Sequence, residues 1–163
     1  MTILSAQSIR KQCLYFDQSY EPNPNGLIHP FVERGVIRGK SFGLSACSYD
    51  CRISDGLLIP VGQSRLASTL ERFCLPNNIC GSVLNKSSWI RISLTTPHTL
   101  LDPGWEGHLT IMLSNLGTEA ITFEPGDPVC QIKFEWLDFP TELLYSGKYQ
   151  FQGPIPTPAK SEE

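Results

Sequence analysis

Apolar and polar residues alternate with a period of two along most of this chain, the signature of strands with one buried face. The clearest run is Leu101 to Asn115, where Leu109, Ile111 and Leu113 alternate with Thr110, Met112 and Ser114. A second runs through ITFEPGDPVCQIKFEWL, where Val129, Gln131 and Lys133 oppose Cys130, Ile132 and Phe134. Shorter strands are expected in FVERGVI, in FGLSACSYDCRISDGLLIPVG, and on both sides of a polar KSS element. These last comprise Val83 and Leu84 before Asn85, and Ile90, Ile92 and Leu94 after it. Helical spacing is confined to Ile9 and Cys13, in a short helix from Ala6 to Gln12 for which Ser5 is the N-cap candidate. RLASTLERFCLP is a weak helix candidate, and Ser19 to Pro30, rich in Pro, Asn and Gly, reads as loop.

Thirteen glycines and thirteen prolines punctuate these short strands, which favours an all-β sandwich or barrel. At 163 residues the chain is one domain, able to bury a core without a partner. Charged residues make up 18% of it, a light surface charge that suits buried subunit contacts. A net charge of −3 argues against a nucleic-acid polymer as partner and leaves room for a small anion held by a few local cations. MTILSAQSIRKQ has no apolar leader core, and no run reaches membrane-spanning length, so a soluble cytoplasmic protein is expected. The six cysteines include no C-x-x-C pair, and the three histidines complete no zinc pattern. Reduced thiols are therefore expected, and the zinc-dependent nucleobase deaminases are excluded.

Candidate chemistry sits in four places. Asp102 precedes Pro103 and Gly104, so a carboxylate is presented at a sharp corner beside Trp105; two readings stand, a turn cap or a site residue. KSSWIR, Lys86 to Arg91, offers cations and hydroxyls, and the PGDPVCQ turn ends at Gln131. The tail, SGKYQFQGPIPTPAKSEE, loses periodicity but supplies Lys148, Tyr149 and Gln152 in a segment suited to closing over a ligand.

Taken in order, HPFVERGVIRGKSFGLSACSYDCRIS, KSSWIR, DPGWEGHLTIMLSN, EPGDPVCQIKF and GKYQFQGP resemble the dCTP deaminases, a family related to the trimeric dUTP diphosphatases. The resemblance covers nearly the whole chain. It implies a distorted antiparallel β-barrel or jelly-roll with a short N-terminal helix, assembled as a homotrimer with active sites at subunit interfaces. Residues 1–146 would form the barrel and 147–163 a flexible tail closing over the site. Lys86, Ser87, Ser88 and Gln131 look like the residues that meet a deoxypyrimidine nucleoside triphosphate, with Arg91 beside them. Trp105 looks like the ring packed on the deoxyribose. Thr95 to Leu101, with Thr99 and Leu101, would be a hairpin whose backbone reads the pyrimidine. Lys148, Tyr149 and Gln152 would belong to the closing tail.

One departure bears on the reaction. In the deaminases a glutamate follows the DPGW-like turn and shuttles protons while water attacks cytosine; the matching residue here is Met112. A thioether carries no proton at neutral pH, and losing a positioned acid/base costs about a hundred- to ten-thousand-fold. Asp102 looks like the catalytic aspartate of the diphosphatases. The expectation is hydrolysis of dUTP to dUMP and pyrophosphate, with Mg²⁺ on the phosphates and Asp50 as the candidate for its water shell. The alternatives are a dCTP deaminase, a hydrolase of dCTP or a modified deoxypyrimidine triphosphate, and a non-catalytic nucleotide-binding regulator.

Overall fold

The computed structural model describes residues 2–14 and 23–161; the first part of the expected Ser19 to Pro30 loop lies outside them. In chain order the elements are β1 (Thr2–Ile3), α1 (Ala6–Cys13), β2 (Ile28–His29), β3 (Arg34–Ile37), β4 (Lys40–Leu44), β5 (Tyr49–Arg52), β6 (Leu57–Ile59) and β7 (Ser64–Cys74). They continue with β8 (Ile79–Asn85), α2 (Ser87–Ile90), β9 (Leu94–Thr95), β10 (Leu100–Leu101), β11 (Glu106–Asn115), β12 (Ile121–Phe123) and β13 (Pro128–Trp136). The chain is therefore all-β with a short N-terminal helix. Ser5 caps α1, its hydroxyl accepting from Ser8 N, and Ile9 and Cys13 are buried. Among the described residues no helix is long and apolar enough to cross a membrane.

Two antiparallel sheets carry the core. The larger runs β10-β8-β13-β5-β4-β3, with β1 also on β13; the smaller runs β2-β7-β11-β9, and β6 pairs with β12. Phe73 of the smaller sheet meets Phe134 of the larger, ring centres 6.5 Å apart. Fully burying such a ring is worth about 1.5–3 kcal/mol, so this contact holds the layers face to face. On β11 the alternation reads out directly: Leu109, Ile111 and Leu113 are buried, while Thr110, Met112 and Ser114 face outward.

Three expectations are corrected. RLASTLERFC lies within the eleven-residue strand β7, Ser64–Cys74, paired along its length with β11. Its pattern is broken because the step from His108 to Thr110 matches the longer step from Arg72 to Ser68, leaving a bulge on β7. Thr69 and Glu71 are buried in that bulge: Thr69 Oγ1 accepts from Leu109 N and donates to Glu71 O, and the Glu71 carboxylate takes Arg52 N and Nε at 2.8 Å each. Ile90 and Ile92 are not in a strand; they are about half exposed, because Lys86 to Ser93 winds through a single helical turn in which Trp89 takes the buried place. Finally, Thr95 to Leu101 is no hairpin. Thr95 pairs with Ser114 in one sheet and Leu100 with Ser82 in the other, so the segment crosses between layers around Pro97, which has no N–H to give a ladder.

Candidate active site

Asp102 follows β10 directly. Gly104, at φ 83°, closes the turn, and Trp105 N donates to Asp102 O. The Asp102 carboxylate is exposed and makes no hydrogen bond or ion pair among the described residues, so its side chain does not cap the turn there. It lines a pocket of about 430 Å³ with Thr99, Leu101, Trp105, Tyr149 and Gln152, all singled out above. Leu66, Thr110 and Tyr145 also line it and were not foreseen as site residues. Thr110 was legible as an outward position of β11. Leu66 and Tyr145 carried no local signal, since they reach the pocket from a strand pair and from the segment just before the tail.

The tail packs along this turn. Tyr145 N donates to Pro103 O (2.8 Å), Gln150 Nε2 to Gly104 O (2.8 Å) and Trp105 Nε1 to Tyr149 O (2.8 Å). Gly107 and Gln152 form a parallel bridge, His108 N donating to Gln152 O and Thr110 Oγ1 to Gln152 Oε1. Thr157 N in turn donates to Thr110 Oγ1. Gly107 has to be glycine: its φ is 148°, and a Cβ there would lie 2.7 Å from Gln152 N. Lys148 does not line the pocket; its ammonium lies 5.6 Å from the Tyr149 ring centre.

The other predicted residues gather elsewhere. Lys86 Nζ lies 2.6 Å from Asp50 Oδ2 and 3.4 Å from Ser41 Oγ, with little exposure of either charge. Gln131 stands opposite Asp50 on β13; its Nε2 donates to Asn85 O (2.8 Å) and its Oε1 accepts from Ser48 Oγ. Ser87 is exposed, and Ser88 Oγ is buried without a partner among the described residues. Arg91, which closes α2, lines a separate surface concavity with Ile92 and Leu116.

The register of β8 measures the gap between the two groups. Leu101 pairs with Gly81, which puts Asp102 beside Cys80, whereas Lys86 follows the far end of the strand. Six residues at about 3.3 Å each separate the two groups by roughly 20 Å. Within one chain, then, the pocket carboxylate and the Lys86 group do not meet.

Electrostatics sharpen the contrast. Burial, with Glu135 and then Asp102 adding, pushes the Cys80 thiol up. Among the other carboxylates near the pocket, Glu106 is tied to Arg72 and accepts from Cys74 Sγ. Among the described residues no three His, Cys, Asp or Glu side chains cluster as a metal site, and Asp50 is already paired with Lys86. The described residues thus offer no protein cage for a divalent cation.

A family model described as dCTP deaminase-like matches residues 48–137. A dCTP deaminase of Rhizorhabdus wittichii is 30% identical over 191 residues, with 97% of this chain and 99% of that protein covered. A dCTP deaminase of Pseudomonas syringae pv. syringae is 32% identical over 171 residues, covering 82% and 91%. Among solved structures, native EIAV dUTPase superposes with a TM-score of 0.53 at 19% identity, over 72% of this chain and 94% of that one. The dUTPase of Staphylococcus bacteriophage 80alpha with dUPNHPP gives a TM-score of 0.53 at 12% identity, over 72% and 83%. With the fold, the DPGW corner and these matches in agreement, the chain belongs to the dCTP deaminase-like family, and it shares its fold with the dUTPases.

Proposed function

We propose that this protein hydrolyses dUTP to dUMP and pyrophosphate, at sites completed between copies of the chain in a homotrimer. The observation that carries the reading is the pocket's chemistry: Asp102 is its one carboxylate among the described residues, and outward along β11, two residues past Thr110, stands Met112 where a deaminase needs an acid. Asp102 orients a water and takes its proton as the water oxygen bonds to the α-phosphorus. The bond from that phosphorus to the α,β-bridging oxygen breaks, and pyrophosphate leaves with the electron pair. Trp105 and the backbone of the 95–101 crossover hold the nucleoside, and Tyr149 and Gln152 keep bulk water out.

Lys86, Ser87, Ser88, Arg91 and Gln131 bind the phosphates from a neighbouring copy, a division supported by the roughly 20 Å gap along β8. When bound, Mg²⁺ supplies neutralisation of phosphate charge, with Asp50 the nearest carboxylate of the Lys86 group. A second reading, deamination of dCTP, is favoured by the dCTP deaminases among the relatives. It requires a proton carrier other than Met112.

Chromatography of products after incubation with Mg²⁺ and either dUTP or dCTP separates the two. The proposal expects dUMP and pyrophosphate from dUTP, with dCTP intact. Conversion of dCTP to a uracil nucleotide overturns it in favour of deamination, and dCMP would place the specificity on cytosine.

A further inference from the structure

We propose that Asp50 is a built-in counter-anion for Lys86, which an incoming phosphate chain must displace, and that this exchange makes the end of β8 selective for polyphosphates over single phosphates. The inference rests on the phosphate-binding role given to Lys86 above.

The arrangement is a closed set of contacts. The Lys86 ammonium and the Asp50 carboxylate are 2.6 Å apart and 8% and 13% exposed, so each is the other's principal replacement for water. Asp50 reaches Lys86 from β5, across β13, where Gln131 stands opposite Asp50 on one side and Leu84 on the other. The Gln131 amide is occupied at both ends, by Asn85 O and by Ser48 Oγ. Ser88 Oγ, buried and without a partner among the described residues, is the open donor of the group.

A single phosphate that took Lys86 would exchange one anion for another and leave the Asp50 charge beside it, so the exchange returns little. A chain of phosphates keeps one group on Lys86 while others reach Ser88, the second Nε2 proton of Gln131 and the exposed Arg91, and these added charge-assisted bonds offset the displaced carboxylate. Asp50 is thus a positioning residue that sets how much anion is needed to open the site.

Calorimetric titration with tripolyphosphate and with inorganic phosphate, without divalent cations, tests this on wild type, Asp50→Asn, Lys86→Met and the double variant. Wild type should bind tripolyphosphate and scarcely register phosphate. Asp50→Asn should tighten phosphate by about tenfold or more and narrow the ratio between the two ligands. The gain should vanish in the Lys86→Met background and be absent from Asp138→Asn, which removes an equal charge at an exposed position. Unchanged or weaker phosphate binding by Asp50→Asn, or an equal gain without Lys86, overturns the proposal while leaving the phosphate role of Lys86 standing. No tripolyphosphate binding by wild type overturns both. Should Asp50→Asn fail to fold, ¹⁵N-lysine NMR of wild type reads the same exchange: the Lys86 ammonium signal should move with tripolyphosphate and stay with phosphate, and movement with both or with neither overturns the proposal.

Discussion

Met112 and Leu66 face each other across the β11–β7 pair, and both are exposed, at 42% and 40%. An apolar pair therefore stands beside the pocket, where Leu66 forms part of the wall, and the proposed proton chemistry is assigned to Asp102.

Asp102→Asn should lower hydrolysis by about a hundred- to ten-thousand-fold, because the amide cannot take the proton from water. Since the side chain has no hydrogen bond among the described residues, unfolding temperature and nucleotide binding should be nearly unchanged. Steady-state rates beside a binding titration check this, and retained turnover removes Asp102 from its role.

Mixing should rescue crippled chains. On the proposed division, Asp102→Asn removes the catalytic group of a chain's pocket end and Lys86→Met the cation of its phosphate end, each leaving the other end intact. Reassembled together, the two variants should regain a clear fraction of wild-type activity that neither shows alone. Failure to do so, with mixed assemblies demonstrated by mass spectrometry, would confine each site to a single chain.

Gly107→Ala should loosen the tail. The added Cβ collides with Gln152 N and must also hold φ near 148°, so the bridge that seats Gln152 is lost. Proteolytic cleavage between Tyr145 and Thr157 should speed up, with turnover falling more than thermal stability. Unaltered cleavage would show that the remaining contacts seat the tail by themselves.

Glu71 links folding to pH. Burial outweighs the Arg52 hydrogen bonds and holds its carboxyl above the usual glutamate range of about 4.3. Between that value and the raised one, the folded state keeps a proton that the unfolded state has shed, so stability falls as pH rises through the window and levels off above it. Glu71→Gln should flatten this fall. Denaturant midpoints measured from about pH 4 to pH 8 test it, and an identical slope in both proteins refutes the assignment.

What could be read from the chain follows from how local each cause is. β11 and β13 were legible because their faces alternate between core and outside, and α1 because Ser5 sits where a cap belongs. β7 was obscured because its bulge buries Thr69 and Glu71, and the partner that makes a buried glutamate tolerable, Arg52, is nineteen residues away on another strand. Ile90 and Ile92 misled because Trp89 takes the core position they would have claimed. Asp102 and Trp105 belong to one turn and could be found together; Leu66 and Tyr145 join them only through long-range pairing.

The placement of β13 bears on how the molecule comes together. It is hydrogen-bonded to β1, β5 and β8, three strands that all precede it in the chain. Until it docks, β5 and β8 each have an open edge on the side it will fill, and the strands that bear Asp50 and lead into Lys86 have no common frame. Assembly of the larger sheet must wait for contacts between residues far apart in the chain, which makes slow, cooperative folding the expected regime and leaves the interval before β13 arrives as the one most exposed to edge-to-edge aggregation.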